Sequence, residues 1–114
     1  MLKPQPDSAW QSKTMPEVRK NEAQQRYELV EGGEVLGFAE FRPVGDAIML
    51  PHTEISPAHE GEGLGSQLAK YALDDVQAQG KMVIPMCPFI AGYIRKHPEY
   101  VELIHPQQRG VFQL

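Results

Sequence analysis

The sequence predicts a mixed α/β fold in which an antiparallel meander is followed by a strand–helix–strand unit and a second helix. Three observations support this order. Short apolar segments alternate with turn residues in the first half of the chain, which is typical of strands joined by hairpins. An amphipathic stretch over residues 64–79 then separates two strand-like segments. Finally, Pro88 marks the start of a second helix, since proline is favoured at the first helical position.

Length and composition indicate one small soluble domain, with 114 residues, 41% apolar residues and a net charge of −4. The acidic balance argues against nucleic acid as a partner, because phosphate contacts need clustered Lys and Arg. No apolar run approaches the roughly 20 residues that span a bilayer, and no hydrophobic signal segment follows Met1, so we expect no membrane partner. The single cysteine, Cys87, excludes an internal disulfide and suits a reducing compartment. We therefore expect a cytoplasmic protein.

Residues 1–16 are predicted to form a flexible N-terminal arm, and residues 17–114 to form the folded domain. The arm combines prolines with polar residues and shows little periodicity. Trp10 is its one strongly apolar residue and a candidate contact with the domain or with a second chain. We expect a monomer or a weak homodimer.

Four strands are predicted before the first helix, at residues 18–21, 26–30, 35–41 and 47–55. The dipeptide Gly32-Gly33 predicts a tight hairpin turn between the second and third of them. Strict alternation along the third strand places Val35 on the same face as Gly37. Pro51 interrupts the fourth strand, which predicts an edge, a bulge or a splay there.

The first helix is predicted over residues 64–79. Its buried stripe comprises Leu64, Leu68, Ala72 and Val76. Gly80 is expected just beyond its C-terminus, where a left-handed conformation commonly ends a helix. Asp74 and Asp75 are interpreted as part of its solvent face.

A short apolar strand is predicted at residues 81–85, followed by a second helix that begins at Pro88. A strand–helix–strand crossover of this kind normally makes its two strands parallel. The second helix is expected to stop near Lys96, because Pro98 disfavours helical geometry at His97. The apolar residues after position 99 are expected to pack back onto the domain, without a defined element.

Three glycines, Gly61, Gly63 and Gly65, alternate immediately before the first helix. Such a turn exposes main-chain N–H groups, and the helix dipole adds a partial positive charge that favours an anion. The spacing matches neither a Walker A loop, which requires a following Gly-Lys-Ser/Thr, nor the G-x-G-x-x-G dinucleotide motif. Two interpretations stay open: an anion-binding cradle, or a tight turn that allows close helix–strand contact.

His52, Glu54 and Cys87 are the candidate catalytic residues. His52 and Glu54 stand two apart on a predicted strand, so both project from one face and either could accept a proton from an incoming amine. Cys87 precedes Pro88 at a helix start, where the dipole favours a thiolate. Each has a structural alternative: a hydrogen-bonding histidine, a solvated glutamate and a small buried cysteine. Tyr93 is a candidate proton donor, but its spacing from Phe89 favours packing.

Four motifs stand in one order along the chain: His52-Thr53-Glu54-Ile55, Gly61-Glu62-Gly63-Leu64-Gly65-Ser66-Gln67-Leu68, Pro85-Met86-Cys87-Pro88-Phe89-Ile90 and His97-Pro98-Glu99-Tyr100. With them, residues 21–104 resemble the small single-domain branch of the GCN5-related N-acetyltransferases (GNAT), the subgroup akin to the YjdJ-like and NATD1 proteins. The resemblance implies a GNAT-like mixed sheet and acetyl-coenzyme A (acetyl-CoA) as the cosubstrate.

The resemblance also implies that the glycine turn binds the pyrophosphate of acetyl-CoA. The residues expected to bind the cofactor as a whole are Ile55, Glu60, Gly61, Glu62, Gly63, Leu64, Gly65, Ser66, Pro88 and Tyr93. Cys87 is expected near the acetyl end. The family's loop usually carries Arg or Gln where Glu60 stands, and Glu62 adds a second carboxylate. Because like charges repel a diphosphate, we expect weaker binding than for a loop that carries arginine.

The expected function is transfer of an acetyl group from acetyl-CoA to an amine acceptor: a protein lysine or N-terminus, a polyamine or another small amine. The acidic chain mildly favours a cationic acceptor. The alternatives are a non-catalytic acyl-CoA-binding regulatory module and a plain interaction domain. The four histidines and Cys87 show no spacing typical of a metal site, so no metal is expected.

Overall fold

The computed structural model describes residues 16–59 and 63–114. The strands are β1 (Glu17–Asn21), β2 (Arg26–Glu31), β3 (Glu34–Glu40), β4 (Arg42–Val44), β5 (Ala47–Met49), β6 (Thr53–Ile55) and β7 (Met82–Ile84). The helices are α1 (Leu64–Ala78) and α2 (Pro88–Lys96), with 3-10 turns at Pro57–His59, Pro98–Leu103 and Pro106–Gln108. The predicted mixed α/β class is confirmed. The predicted arm, apart from Pro16, lies outside the described residues.

The strands form two sheets. The first is antiparallel, with the order β1-β2-β3-β6, and the second has the order β4-β5-β7. Strands β5 and β7 are parallel, with Ile48 opposite Val83, as the strand–helix–strand unit predicts. One core joins Tyr27 and Leu29 of β2 to Leu68 of α1 and Ile90 of α2.

The segment predicted as one strand over residues 47–55 divides at Pro51 into β5 and β6. Leu50 still bonds towards β7, because its N–H donates to the Ile84 carbonyl over 2.9 Å. The His52 carbonyl instead accepts the Glu40 N–H over 2.8 Å, so the chain has turned towards the first sheet. Of the outcomes that Pro51 predicts, the structure shows a splay. A gap therefore opens between β6 and β7.

The predicted alternation of buried and exposed side chains along β3 is wrong at Val35 and Leu36. The β2–β3 register shifts between Leu29 and Val30, which inserts an extra residue into β3. Leu36 is therefore buried in the core at 2% exposure, whereas Val35 is 37% exposed. Beyond this bulge Gly37 and Ala39 are buried, as alternation predicts.

Helix α1 buries six apolar residues: Leu64, Leu68, Ala69, Ala72, Leu73 and Val76. Its C-terminus closes as predicted, with Gly80 in the left-handed region at φ 70°. The Gly80 N–H donates to the Gln77 carbonyl over 3.0 Å, and the Lys81 N–H donates to the Val76 carbonyl over 3.2 Å. These two bonds satisfy carbonyls that the last turn would leave unpaired.

Asp74 and Asp75 keep 45% and 27% of their side chains exposed, but they also anchor α1, a role that their assignment to a solvent face missed. Asp75 accepts the Tyr27 hydroxyl of β2 over 2.8 Å and pairs with Lys20 over 2.9 Å. Asp74 accepts the Tyr100 hydroxyl over 2.7 Å. Burial alone would raise the pKa of both carboxyl groups. Hydrogen bonds from Lys70 and Tyr100 to Asp74, and from Lys20 and Tyr27 to Asp75, outweigh it and hold each pKa below its usual value. The pair ties α1 to the first sheet on one side and to the C-terminal region on the other.

Glu28 is the buried charged residue of the described chain, with 2% exposure. Its carboxylate accepts hydrogen bonds from Arg26 over 2.7 Å, Arg19 over 3.1 Å and Asn21 over 3.2 Å. Burial would raise the pKa of Glu28, but the bonds from Arg26, Arg19 and Asn21 outweigh it and lower the pKa. The ionised carboxylate thereby links β1 and β2.

Helix α2 begins at Pro88 and ends at Lys96, as predicted. Tyr93 lies in the core and stacks on the His97 ring with centroids 4.0 Å apart. Its predicted packing role is confirmed. The residues beyond α2 supply Tyr100, Leu103 and Ile104 to the core through 3-10 turns. Within residues 16–59 and 63–114, neither helix is long and apolar enough to cross a membrane.

Replacing Glu28 by glutamine should lower the free energy of unfolding at pH 7 by about 1–3 kcal/mol, because two arginines lose their buried partner. The folded pKa of Glu28 lies below its unfolded value of 4.5, so its contribution is complete above that value and is lost as pH falls through the folded pKa. The difference between wild type and Glu28→Gln should therefore shrink below pH 4.5. Urea unfolding at several pH values measures it.

The exposed Glu34 on β3 provides the matched control for Glu28. Glu34→Gln should change stability by less than about 0.5 kcal/mol at every pH. A Glu28→Gln protein as stable as wild type at pH 7 would contradict the assignment of ionised Glu28 as a stabilising link between β1 and β2.

Candidate functional site

A cleft of about 390 Å³ lies between β6, the first turn of α1 and Phe89 of α2. It is lined by Thr53, Ile55, His59, Gly63, Leu64, Gly65, Ser66 and Phe89. Strand β6 forms one wall, the first turn of α1 forms the second, and Phe89 of α2 contributes from a third side. The splay at Pro51 places β6 in the first sheet and beside α1.

The first turn of α1 supplies the polar end of the cleft. Gly63 precedes the helix in the left-handed region, with φ 77°. The N–H groups of Leu64, Gly65 and Ser66 belong to the first helical turn, where no carbonyl of the same helix can accept them. Together with the helix dipole they favour a negative charge in the cleft.

Four of the predicted cradle residues, Gly63, Leu64, Gly65 and Ser66, line the cleft together. The other three, Glu60, Gly61 and Glu62, lie outside the described residues. Leu64 is anchored because its side chain is buried in the core, while Ser66 is exposed. The part of the cradle nearest the helix is therefore held by packing.

Gly65 is the point of close contact between α1 and the Phe89 side chain of α2. A Cβ atom at Gly65 would lie 2.8 Å from Cζ of Phe89 and 3.2 Å from Cε2, closer than carbon atoms pack. The absent side chain lets the Phe89 ring lie against the helix start. Of the two interpretations of the glycines, close packing therefore applies at Gly65, and an open anion site is compatible with Gly63, where an added Cβ would meet no atom within 4 Å.

Ile55, a predicted cofactor-binding residue, lines the cleft, together with Thr53, His59 and Phe89, which were not predicted from the sequence as site residues. The two-residue alternation of a strand places Thr53 on the same face as Ile55, so that signal was available. Phe89 was interpreted only as a packing partner of Tyr93. It is 44% exposed instead, because α1 presents no side chain at Gly65.

His52 and Glu54 face away from the cleft, since they alternate with Thr53 and Ile55 along the chain. They contact each other, with His52 Nε2 2.9 Å from Glu54 Oε1. Both side chains are exposed, at 51% and 63%. The Phe38 ring lies 6.0 Å from the His52 ring. The two residues form an imidazole–carboxylate pair on the outer face of the sheet, and their catalytic roles stay predictions.

Cys87 caps the N-terminus of α2 directly before Pro88 and is 6% exposed. Its N–H donates to the Leu50 carbonyl over 3.0 Å, which fixes it at the point where β5 and β6 divide. Cys87, Pro88 and Tyr93 are not among the residues that line the cleft. Pro88 is exposed at the helix start, whereas burial raises the pKa of Tyr93 within the core.

The chemistry of the cleft suits an elongated anionic ligand. Among the described residues that line it there is no Lys or Arg, so an anion would be held mainly by main-chain N–H groups. Ile55, Leu64 and Phe89 provide apolar walls. In the described part of the chain, no group of three or more His, Cys, Asp and Glu could hold a metal ion.

Comparison with known proteins agrees with this architecture. The family model described as GCN5-related N-acetyl-transferase matches residues 26–103, about two thirds of the chain. The solution structure of a GCN5-like protein from Staphylococcus aureus superposes with a TM-score of 0.61 at 20% identity, covering 78% of this chain and 87% of that one, which shows a shared fold.

The curated relatives include protein NATD1 of Mus musculus and of Homo sapiens. Each is 36% identical over 66 residues, which is 55% of this chain and 60% or 58% of the relative. The chain therefore spans about three fifths of the length of these proteins. The family match, by contrast, extends from β2 to the 3-10 turn after α2. The chain belongs to the GCN5-related N-acetyltransferase family.

Proposed function

We propose that this protein is an acetyl-CoA-dependent N-acetyltransferase whose cosubstrate lies in the cleft between β6 and α1. The observation that carries the proposal is the position of this cleft: it follows a splayed strand and ends on the first turn of a helix, in a chain of an acetyltransferase family. The N-terminus of α1 suits the diphosphate of acetyl-CoA. The apolar walls of the cleft suit its uncharged, partly apolar pantetheine arm.

The N–H groups of Leu64, Gly65 and Ser66 hold the diphosphate in this proposal. The arm of the cosubstrate then follows β6 past Ile55 and Thr53 towards the splay point at Leu50. An extended strand rises about 3.3 Å per residue, so Leu50 is at most roughly 16 Å from Ile55. This run gives a linear ligand room to reach the gap between β6 and β7.

Acetyl-CoA supplies a thioester, whose carbonyl carbon an uncharged amine can attack. The protein must remove a proton from the incoming ammonium group and hold the amine near the gap. We assign the first task to the His52–Glu54 pair, directly or through water, because the carboxylate contacts the imidazole over 2.9 Å and can orient it. The pair lies on the outer face of β6, so the amine approaches from that face. Its class is a protein lysine or N-terminus, a polyamine or another small amine, and the net charge of −4 favours a cationic one.

Two roles are compatible with Cys87: a transient acetyl carrier, or a residue packed beside the reacting thiol. Its 6% exposure and its bond to Leu50 support the second role and direct transfer. In the covalent route, the Cys87 sulfur would form a new thioester bond while coenzyme A (CoA) leaves as a thiolate. An acetyl adduct on Cys87, detected by intact mass and lost in Cys87→Ala together with turnover, would favour that route instead.

Ser66→Asp should separate ligand binding from stability. A carboxylate in the first turn of α1 complements the helix dipole and should raise the stability of the free protein by about 0.3–1 kcal/mol. The same charge repels a diphosphate and should weaken CoA binding roughly tenfold. Thermal unfolding and isothermal titration calorimetry measure the two effects.

Ser66→Asn is the neutral control of nearly equal size and should bind CoA within about twofold of wild type. If Ser66→Asp binds CoA as tightly as wild type does, the diphosphate does not lie at this helix end.

His52→Gln should lower kcat for thiol release from acetyl-CoA by roughly 100-fold, because it removes the proposed proton acceptor. The KM for acetyl-CoA should change little, since His52 does not line the cleft. Thiol release is followed with a panel of amines, and the fold control Glu34→Gln should stay within about twofold of wild type.

A His52→Gln enzyme as fast as wild type would remove His52 from the mechanism. If wild type binds acetyl-CoA and releases no thiol with any amine of the panel, the result would favour a non-catalytic acyl-CoA-binding module over an enzyme as the function. The carboxylates Glu60 and Glu62 in the loop are the observation that favours this second candidate.

A further inference from the structure

The hydroxyl group of Thr53 is the buried side-chain oxygen that has no hydrogen-bond partner among the described residues. Buried polar atoms in native proteins are nearly always paired, since an unpaired one loses its water without compensation. Elsewhere in the described chain, buried side-chain oxygens and nitrogens have partners: the hydroxyls of Tyr27 and Tyr100 both donate to aspartates. The exception at Thr53 therefore requires a physical explanation.

The position of Thr53 supplies one. Its backbone is fixed in β6 opposite Ala39 of β3, and its side chain lines the same cleft as Ile55. Along the strand it lies two residues nearer than Ile55 to the splay point at Leu50. It therefore lies away from the helix end, where the charged part of a ligand would bind.

We propose that the Thr53 hydroxyl bonds an amide group in the pantetheine arm of CoA; this inference rests on the proposed function. The arm contains two amide groups, and buried amides require partners just as main-chain groups do. A threonine hydroxyl can donate to an amide carbonyl or accept from an amide N–H. Rotation about its Cα–Cβ bond exchanges the positions of the hydroxyl and the methyl group, so either can face the ligand. Ligand binding thus gives a partner to an oxygen that has none among the described residues of the free protein.

The proposal assigns Thr53 a specificity that the helix end lacks. A diphosphate at Leu64, Gly65 and Ser66 is recognised equally well in any nucleotide. A bond to the arm distinguishes CoA from nucleotides that carry the same diphosphate without an arm. The hydroxyl lowers the stability of the unliganded protein, because a valine of nearly the same shape would pack there without an unpaired polar group.

Calorimetric titration with two ligands tests the proposal: CoA, and 3′-phospho-ADP, which keeps the diphosphate and lacks the pantetheine arm. Thr53→Val should weaken CoA binding about three- to tenfold and leave 3′-phospho-ADP binding unchanged. Thr53→Ser, which keeps the hydroxyl, should bind CoA within about twofold of wild type. The unliganded Thr53→Val protein should melt at the same temperature as wild type or higher.

Ile55→Val is the matched control, because it trims an apolar side chain on the same strand face and removes no hydrogen-bonding group. Equal affinity of Thr53→Val and wild type for CoA would overturn the proposal, as would an equal loss for both ligands. A lower melting temperature of unliganded Thr53→Val would also overturn it, since the hydroxyl would then be paired in the free protein. Absence of CoA binding by wild type would reject the proposed function itself.

Discussion

The switch of hydrogen-bond partners at Pro51 is the constraint on which the site depends. The Leu50 N–H donates to the Ile84 carbonyl of β7, and the Leu50 carbonyl accepts the N–H of Cys87, which lies just beyond β7. Two residues later, His52 bonds to Glu40 of β3. Pro51 has no N–H to donate, so it tolerates the change of direction without leaving a donor unpaired. The chain thereby passes from the second sheet to the first, and β6 forms one wall of the cleft.

The contacts of α1 and α2 hold the N-terminus of α1 beside β6. Helix α1 is held from below by its buried stripe and from both sides by Asp74 and Asp75, whose tyrosine partners lie on different elements. The Phe89 ring of α2 lies against Gly65 at the start of α1, where a side chain would meet it. Leu64 is buried in the core in the same turn, so packing holds the first turn of α1 in place.

Features that depend on neighbouring residues alone, such as helix termini and strand interruptions, were predicted correctly from the sequence. Gly80, Pro88 and Pro98 marked helix ends correctly, and Pro51 correctly indicated an interruption. The errors occurred where a distant residue decides: the β2–β3 bulge exposes Val35, and the hydroxyls of Tyr27 and Tyr100 bind Asp75 and Asp74. At the site, Leu64, Gly65 and Ser66 were found because the glycine spacing is a local pattern. Thr53 and Phe89 were missed because their exposure to the cleft depends on how three elements meet.

The most direct test of the central claim is a titration of the isotopically labelled protein with CoA, followed through backbone amide chemical shifts. The account predicts the largest shifts at Leu64, Gly65 and Ser66 and along β6, with little change at the β4–β5 turn around Asp46. Shifts confined to other surfaces, with the first turn of α1 and β6 unaffected at saturation, would contradict it.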